Sequence, residues 1–490
     1  MKMRSEKIQK AAKDPVNWYL LSIAAILFLY ISFSDYTQFI YEQYFIFPCF
    51  LFLGAAAERA GIRSDRKRKL LPIAMVLWFF FLQGRRFLGV DHLYNGGLFL
   101  STYLVAYPMA DLLNDGNDNR GLKLLTGAYL AGAGILAVNS ILLVLDWLPE
   151  VFTKYIFWNG DRLEVFWHPN MAAFFFMVGI ILCTTFFSQA KRRNAKLGLM
   201  VLLAMLIWSL SLTNCRTAIV LTGIYLGVMI FFWLLRRSNN KKWIIPGVLA
   251  VVLLAVVIFT GSGKLYNRNS NRLTNQQLPQ NTIQTVPQET ATKTEENTSE
   301  STNEITTPAE TKPVQPPDQS IRKTDSPQGS ILTDLGTLNN RTKIWAAALT
   351  ALKDSRKIQL FGVGRPGEYV SEYFGGAIPH VHNSWLECFL GLGLFGFLMA
   401  VTFTLTTLWN IFFLLLRENK DPWKRNTALL TLCILAASFL EPYIFYTTSS
   451  YHPMDFLFFL CAGYLSYWQK EENKRMISKI QNKIRKTHQQ

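Results

Sequence analysis

Cysteine and histidine are both scarce in this 490-residue chain, at six residues each. The cysteines, at positions 49, 183, 215, 388, 433 and 461, are scattered and show no C-x-x-C spacing. A disulfide framework and a cysteine-based metal site are therefore both without support. Runs of about ten residues alternating between polar and apolar are missing, which excludes a transmembrane β-barrel. No internal repeat is visible, and charge is almost absent from the centres of the apolar runs. A transporter places its substrate and ion sites near the bilayer midplane, so this pattern argues against one. The stretch Asn269–Ser330 contains no aromatic residue and only nine aliphatics, too few to offset the entropy of ordering it.

Long hydrophobic runs are present in number, and they exclude a soluble enzyme. The mean hydropathy of +0.17 understates them, because the polar stretch dilutes the average. Twelve helical spans are expected near 17–34, 42–58, 70–84, 93–113, 123–145, 168–188, 197–213, 217–235, 243–261, 385–413, 427–447 and 453–468, each long enough for a hydrocarbon core of roughly 30 Å. Helix is required because lipid offers no partner to backbone N–H and C=O groups. The first span is not expected to be a cleaved signal, since no small-residue cleavage site follows it before Asp35.

Lys and Arg outnumber Asp and Glu by 50 to 33, and the loops sort that excess by side. Segments 1–16, 59–69, 114–123, 189–196, 236–242, 417–426 and 469–490 carry 32 of the 50 basic residues. Short loops on the opposite side carry five: Arg85, Arg86, Lys154, Arg162 and Arg216. The positive-inside rule then makes the first side cytoplasmic, with both termini there. The expected fold class is an all-α polytopic membrane protein of about twelve transmembrane helices, with a large extracytoplasmic loop between the ninth and tenth. Its parts are nine spans over 1–261, an extracytoplasmic loop over 262–384, three spans over 385–468, and a basic cytoplasmic tail over 469–490. Within the loop, 269–330 is a disordered Thr/Gln/Pro/Glu-rich insert, and 331–384 is ordered.

In that ordered part, Asn339 and Asn340 can cap a helix running to about Asp354, with Ile344, Trp345, Ala348, Leu349 and Leu352 as its apolar stripe. Arg341 falls in the first turn, where its charge opposes the helix dipole and gains nothing locally. Ionisable side chains gather at the extracytoplasmic ends of spans: Arg85, Arg86, Arg162, His168, Arg216, His380, His382, Glu387 and, somewhat deeper, Glu441. Such residues are costly near a membrane and mark function. Arg216, in a tight turn between two apolar runs, either snorkels to headgroup phosphates or binds a substrate phosphate through its planar fork. Arg341 carries the same alternatives. Arg85 and Arg86 are as readily interfacial anchors. His380 and His382, in the sequence PHVHN, could ligate a metal, but no third ligand stands at suitable spacing, so none is expected. A histidine here suits a general base, because its ordinary pKa lets it take a hydroxyl proton near neutral pH.

At these residues the chain resembles the O-antigen ligase and polymerase family of integral membrane glycan transferases. His382-Asn383, nine residues, then Gly393-Leu394-Phe395-Gly396 resembles the family's catalytic motif. Arg162 to Ala173 (RLEVFWHPNMAA), the TNCRTA turn around Arg216, NNRTKIWAAAL around Arg341, and LFGVG resemble further motifs in the same order. The likeness spans about 160–410. Asn214 and Cys215 depart from it by standing where small hydroxyl residues are usual, and the polar insert is longer than is typical.

The resemblance implies transfer of a glycan from an undecaprenyl-diphosphate carrier to an acceptor hydroxyl, without metal, nucleotide sugar or other cofactor. It implies His382 as base, with Arg216 and Arg341 stabilising the departing diphosphate. Arg162, His168, Asn170, His380, Asn383, Arg85 and Arg86 are then candidate substrate-binding residues. Partners would be the lipid-linked donor, a glycan, lipid or protein acceptor, and the bilayer, with no nucleic acid. The location would be the bacterial cytoplasmic membrane, with the active site outside it. Polymerisation of lipid-linked repeats, protein O-glycosylation and, in a different class, transport of the lipid-linked glycan are the alternatives.

Overall fold

A computed structural model describes residues 15–45, 47–49, 51–52, 55, 106, 120–149, 156–159, 162–165, 169–237, 341–363, 365–375, 378, 380–416, 421–445 and 452–489. The expected spans at 70–84 and 243–261, all of that at 93–113 except Ala106, part of that at 42–58, the insert, and Arg85, Arg86 and His168 lie outside these residues. The described elements are α1 (Pro15–Tyr44), α2 (Arg120–Val144), β1 (Ile156–Asn159), β2 (Arg162–Val165), α3 (Pro169–Gln189), α4 (Arg193–Leu212) and α5 (Arg216–Arg237). They continue with α6 (Arg341–Asp354), α7 (Arg356–Phe361), α8 (Pro366–Phe374), α9 (Ser384–Leu416), α10 (Pro422–Ala437) and α11 (His452–Gln489). Helix dominates, and among the described residues five helices (α1, α2, α3, α4 and α9) are long and apolar enough to cross a membrane.

Helix α3 is the hub. Every residue from Asn170 to Cys183 is buried, and α2, α4, α5 and α10 all pack on it. A helix apolar on all sides is one that neighbours surround, which is what PNMAAFFFMVGIILC reads as. Small residues let the backbones approach: a Cβ on Gly132 of α2 would lie 2.9 Å from Cβ of Ile31 on α1. By contrast α4 buries only Leu206, Ser209, Leu210 and Leu212, leaving an apolar face outward where lipid would meet it.

The described elements are almost entirely helical, as an all-α membrane protein requires. There is one addition that the sequence reading did not include: a two-stranded hairpin, β1 antiparallel to β2 with Asn159 opposite Arg162. The helix expected over 427–447 ends at Ala437. Its stop is written at Glu441-Pro442, because proline has no N–H to donate and disfavours helical geometry in the residue before it. The chain instead runs irregularly through 438–445, held by its own aromatics. Tyr443 packs at 4.3 Å from Phe174, and Phe445 nests among Phe403, Phe458 and Phe459.

Helices α6 to α8 pack against α9 and against each other through a second apolar cluster: Ile344, Ala348, Ala351, Leu352, Val370, Ile378, Val381 and Leu390. The expected stripe of α6 is largely observed, but Leu349 is 48% exposed while Ala351 is buried in its place. The join between α7 and α9 is backbone on backbone. Gly393 (φ 71°, ψ −174°) breaks α9, and Gly362 (φ 74°, ψ 179°) ends α7. Both occupy a region open essentially to glycine alone. A Cβ on Gly393 would lie 2.3 Å from the Leu360 carbonyl oxygen, and one on Gly362 would lie 2.4 Å from that of Gly391. Val363 N–H then donates to the Leu390 carbonyl at 2.7 Å, a group the helix break helps to release.

Candidate functional site

The site forms where the starts of α3, α5, α6 and α9 meet the irregular segment after α10. Asn383 caps α9, its Oδ1 accepting from the N–H groups of Trp385 (2.9 Å) and Leu386 (3.0 Å). Its Nδ2 donates to the Phe439 carbonyl at 2.9 Å. Ser384 adds three bonds to the same segment. Its N–H donates to Ser438 O (2.8 Å), its Oγ donates to Glu441 O (2.8 Å), and Oγ accepts from Ile444 N–H (3.3 Å). The start of α9 and residues 438–445 are thus stitched together, which brings His382 beside Glu441. His382 itself holds a left-handed backbone (φ 54°). Such a conformation costs a non-glycine residue energy and persists only where surrounding structure imposes it.

Glu441 is the centre of the cluster, with 1% of its side chain exposed. Its Oε1 accepts from Arg341 Nη2 and from Asn170 Nδ2 at 2.6 Å. Its Oε2 faces His382 Nδ1 at 3.1 Å and His380 Nε2 at 3.9 Å. Asn170 Oδ1 in turn accepts from Arg162 Nη2 at 2.8 Å, and Arg162 Nε donates to the Thr213 carbonyl at 3.1 Å. The hairpin therefore presents Arg162 at the start of β2, and Pro169 opens α3 so that Asn170 sits in its first turn. Arg341 is held by Glu441, a tertiary contact that explains a cation at the unfavourable end of α6. Trp345, one turn further on, fixes that helix by donating from Nε1 to the Val381 carbonyl at 3.1 Å.

Arg216 opens α5 directly after the Thr213–Cys215 turn, which Asn214 makes with a left-handed φ of 49°. This is a conformation that Asn tolerates better than most residues. Cys215 feels the charges of Arg162, Arg341 and Glu441, so the turn adjoins the cluster. Burial pushes its thiol up to about 11, which keeps it protonated and unreactive at neutral pH. Arg341 reaches the Glu441 carboxylate directly and Arg162 reaches it through Asn170, so two guanidinium groups are organised around one buried acid.

The structure therefore brings Arg162, Asn170, Arg341, His380 and His382 together and sets Arg216 next to them. Both ends of the Asn383 amide are engaged in fixing α9, and the Asn170 amide bridges Arg162 to Glu441. These two position other groups. Glu441 is the residue that sequence reasoning left without a role. It lies 59 positions from His382 and 271 from Asn170, so spacing could not pair them. Its one signal was an acid inside an apolar run. It also supplies what the spacing argument lacked, a third ligand-type group beside the two histidines. The six cysteines are all buried and unpaired.

Residues 201–401 match the model of a family described as O-antigen ligase. That range includes Arg216, Arg341, His380 and His382 but stops short of Glu441 and begins after Arg162 and Asn170. No curated protein and no solved structure matches the chain.

Proposed function

We propose that this chain, whose residues 201–401 place it in the O-antigen ligase family, transfers a glycan from undecaprenyl diphosphate to an acceptor hydroxyl at the extracytoplasmic face of the cytoplasmic membrane. The observation that carries the reading is the shared carboxylate of Glu441, which joins a histidine to arginines at one end of a helical bundle.

An ionised carboxylate only accepts, so the His382–Glu441 bond puts the proton on Nδ1 and leaves the lone pair on Nε2. Nε2 takes the acceptor proton as the acceptor oxygen attacks the anomeric carbon. The bond from that carbon to the diphosphate oxygen breaks, and the diphosphate departs with the electron pair. Glu441 steadies the imidazolium that forms, as an orienting carboxylate does in other base-activated sites. Negative charge grows on the leaving diphosphate, and in this reading the guanidinium groups of Arg216, Arg341 and Arg162 stabilise it. Arg341 has five N–H donors, so pairing with Glu441 does not exhaust it. Nothing in these steps calls for a metal or a nucleotide. The twelve-span topology with cytoplasmic termini belongs to the same reading, because it sets the cluster on the face where a lipid-linked glycan would be presented.

The test is reconstitution in liposomes with undecaprenyl-diphosphate glycan, a chelator, and either a lipid, a polysaccharide repeat or a protein as acceptor. A new glycosidic product with release of undecaprenyl diphosphate is expected. The acceptor consumed separates ligation from polymerisation and from protein glycosylation. Passage of intact donor across the bilayer without a new bond would instead identify a transporter.

A further inference from the structure

We infer that His380, His382 and Glu441 form a binding site for a divalent transition cation of the zinc type, and that occupancy of this site shuts the enzyme off. The inhibitory half rests on the function proposed above; the binding half does not.

The three side chains each offer a ligand atom, and these atoms lie within 4.8 Å of one another. Glu441 Oε2 is 3.1 Å from His382 Nδ1 and 3.9 Å from His380 Nε2. Zinc bound at about 2.0–2.2 Å to nitrogen and oxygen separates neighbouring ligands by roughly 3.3 Å, so small side-chain adjustments bring the set to coordination distance. Two imidazoles and a carboxylate suit zinc and its neighbours rather than magnesium or calcium. The carboxylate is also divided in the right way. Arg341 and Asn170 occupy Oε1, which fixes the carboxyl plane and turns Oε2 toward both rings, as outer partners do for metal ligands. His380 and Glu441 are buried, while His382 keeps 20% of its side chain exposed, giving a cation a way in and a place for a water ligand. The nearby Arg341 charge lowers affinity, so the site is expected to be reversible rather than structural.

The consequence follows from the tautomer. A metal on Nδ1 of His382 takes the lone pair of that nitrogen, and the neutral ring's one proton must then sit on Nε2. Nε2 no longer has a pair with which to accept the acceptor proton. The cation also holds Oε2, the oxygen that would steady the imidazolium.

The test uses the full chain, purified with its affinity tag removed and stripped of metal. Cobalt(II), whose visible absorption reports coordination, is titrated and then displaced by zinc. Saturable binding is expected, weakened at least tenfold in His380→Gln and His382→Gln, on the order of what even an outer partner of a metal ligand costs. No binding, or unchanged affinity in both variants, overturns the site. Glu441→Gln serves as a third variant, provided its helix content is unaltered. In liposomes, zinc should stop glycan transfer and a chelator should restore it. The zinc concentration needed for half-inhibition should rise at least tenfold in His380→Gln relative to that variant's own uninhibited rate. Binding at these residues without inhibition would overturn the shut-off and, with it, the assignment of His382 as base. Absence of transfer under every condition would count against the proposed function, while the cobalt titration would still decide the site.

Discussion

At the scale of single residues, the proposed chemistry turns on one buried carboxylate whose two oxygens have different partners. Replacing Glu441 by Gln leaves the shape but removes the charge that Arg341 and His382 share. Breaking a buried ion pair by neutralising one partner costs about 3–5 kcal/mol. Glu441→Gln should therefore lower the thermal midpoint of the purified protein as well as its transfer rate. Arg341→Lys should not match wild type, because an ammonium cannot reproduce the fork that reaches Glu441 and a phosphate together. Arg216→Ala is expected to weaken donor engagement mainly, read as loss of affinity for the prenyl diphosphate in a binding assay. Unchanged affinity and turnover would remove Arg216 from the site. His382, Arg216 and Arg341 were legible in the sequence because each stands in a motif or at the end of an apolar run. The role of Glu441 was not, because it exists only in three dimensions. Arg341 shows the same division: its position was visible and locally unexplained, and only the tertiary contact accounts for it.

Secondary-structure elements set where those residues stand, and here the decisive contact is the glycine-to-glycine join of α7 and α9. Gly393→Ala asks for a backbone that side chains reject and drives a methyl into the Leu360 carbonyl. Strain of this kind costs of order 1–3 kcal/mol, and α6 to α8 would shift against α9. Lost transfer activity with unaltered helix content, and faster proteolysis within 341–383, are the expected signs; full activity in Gly393→Ala would show that the join is dispensable. The periodic apolar stripe made α6 readable almost residue by residue. The hairpin that delivers Arg162 was not readable, since four-residue strands are too short to show a period. The early end of α10 was written at Pro442, but hydropathy alone masked it, because the buried irregular segment is as apolar as a helix.

For the whole molecule, the proposed topology makes charge a sorting signal more than a recognition surface. A cysteine at Ser299 in the polar insert is expected to react with a membrane-impermeant maleimide in intact cells. One at Ser478, an exposed position in the C-terminal half of α11, should react only after permeabilisation; the reverse would invert the topology. The native cysteines are buried and should give little background. Deleting 275–325 should leave turnover largely intact, since composition assigns that stretch the part of a spacer. All these expectations meet in His382. The most direct measurement compares wild type with His382→Ala in liposomes, following donor binding and glycan transfer on the same preparations. A positioned general base contributes about 10²–10⁴-fold, so transfer should fall by that factor or more while donor affinity and helix content stay at wild-type values. Transfer at the wild-type rate in His382→Ala would contradict the central claim.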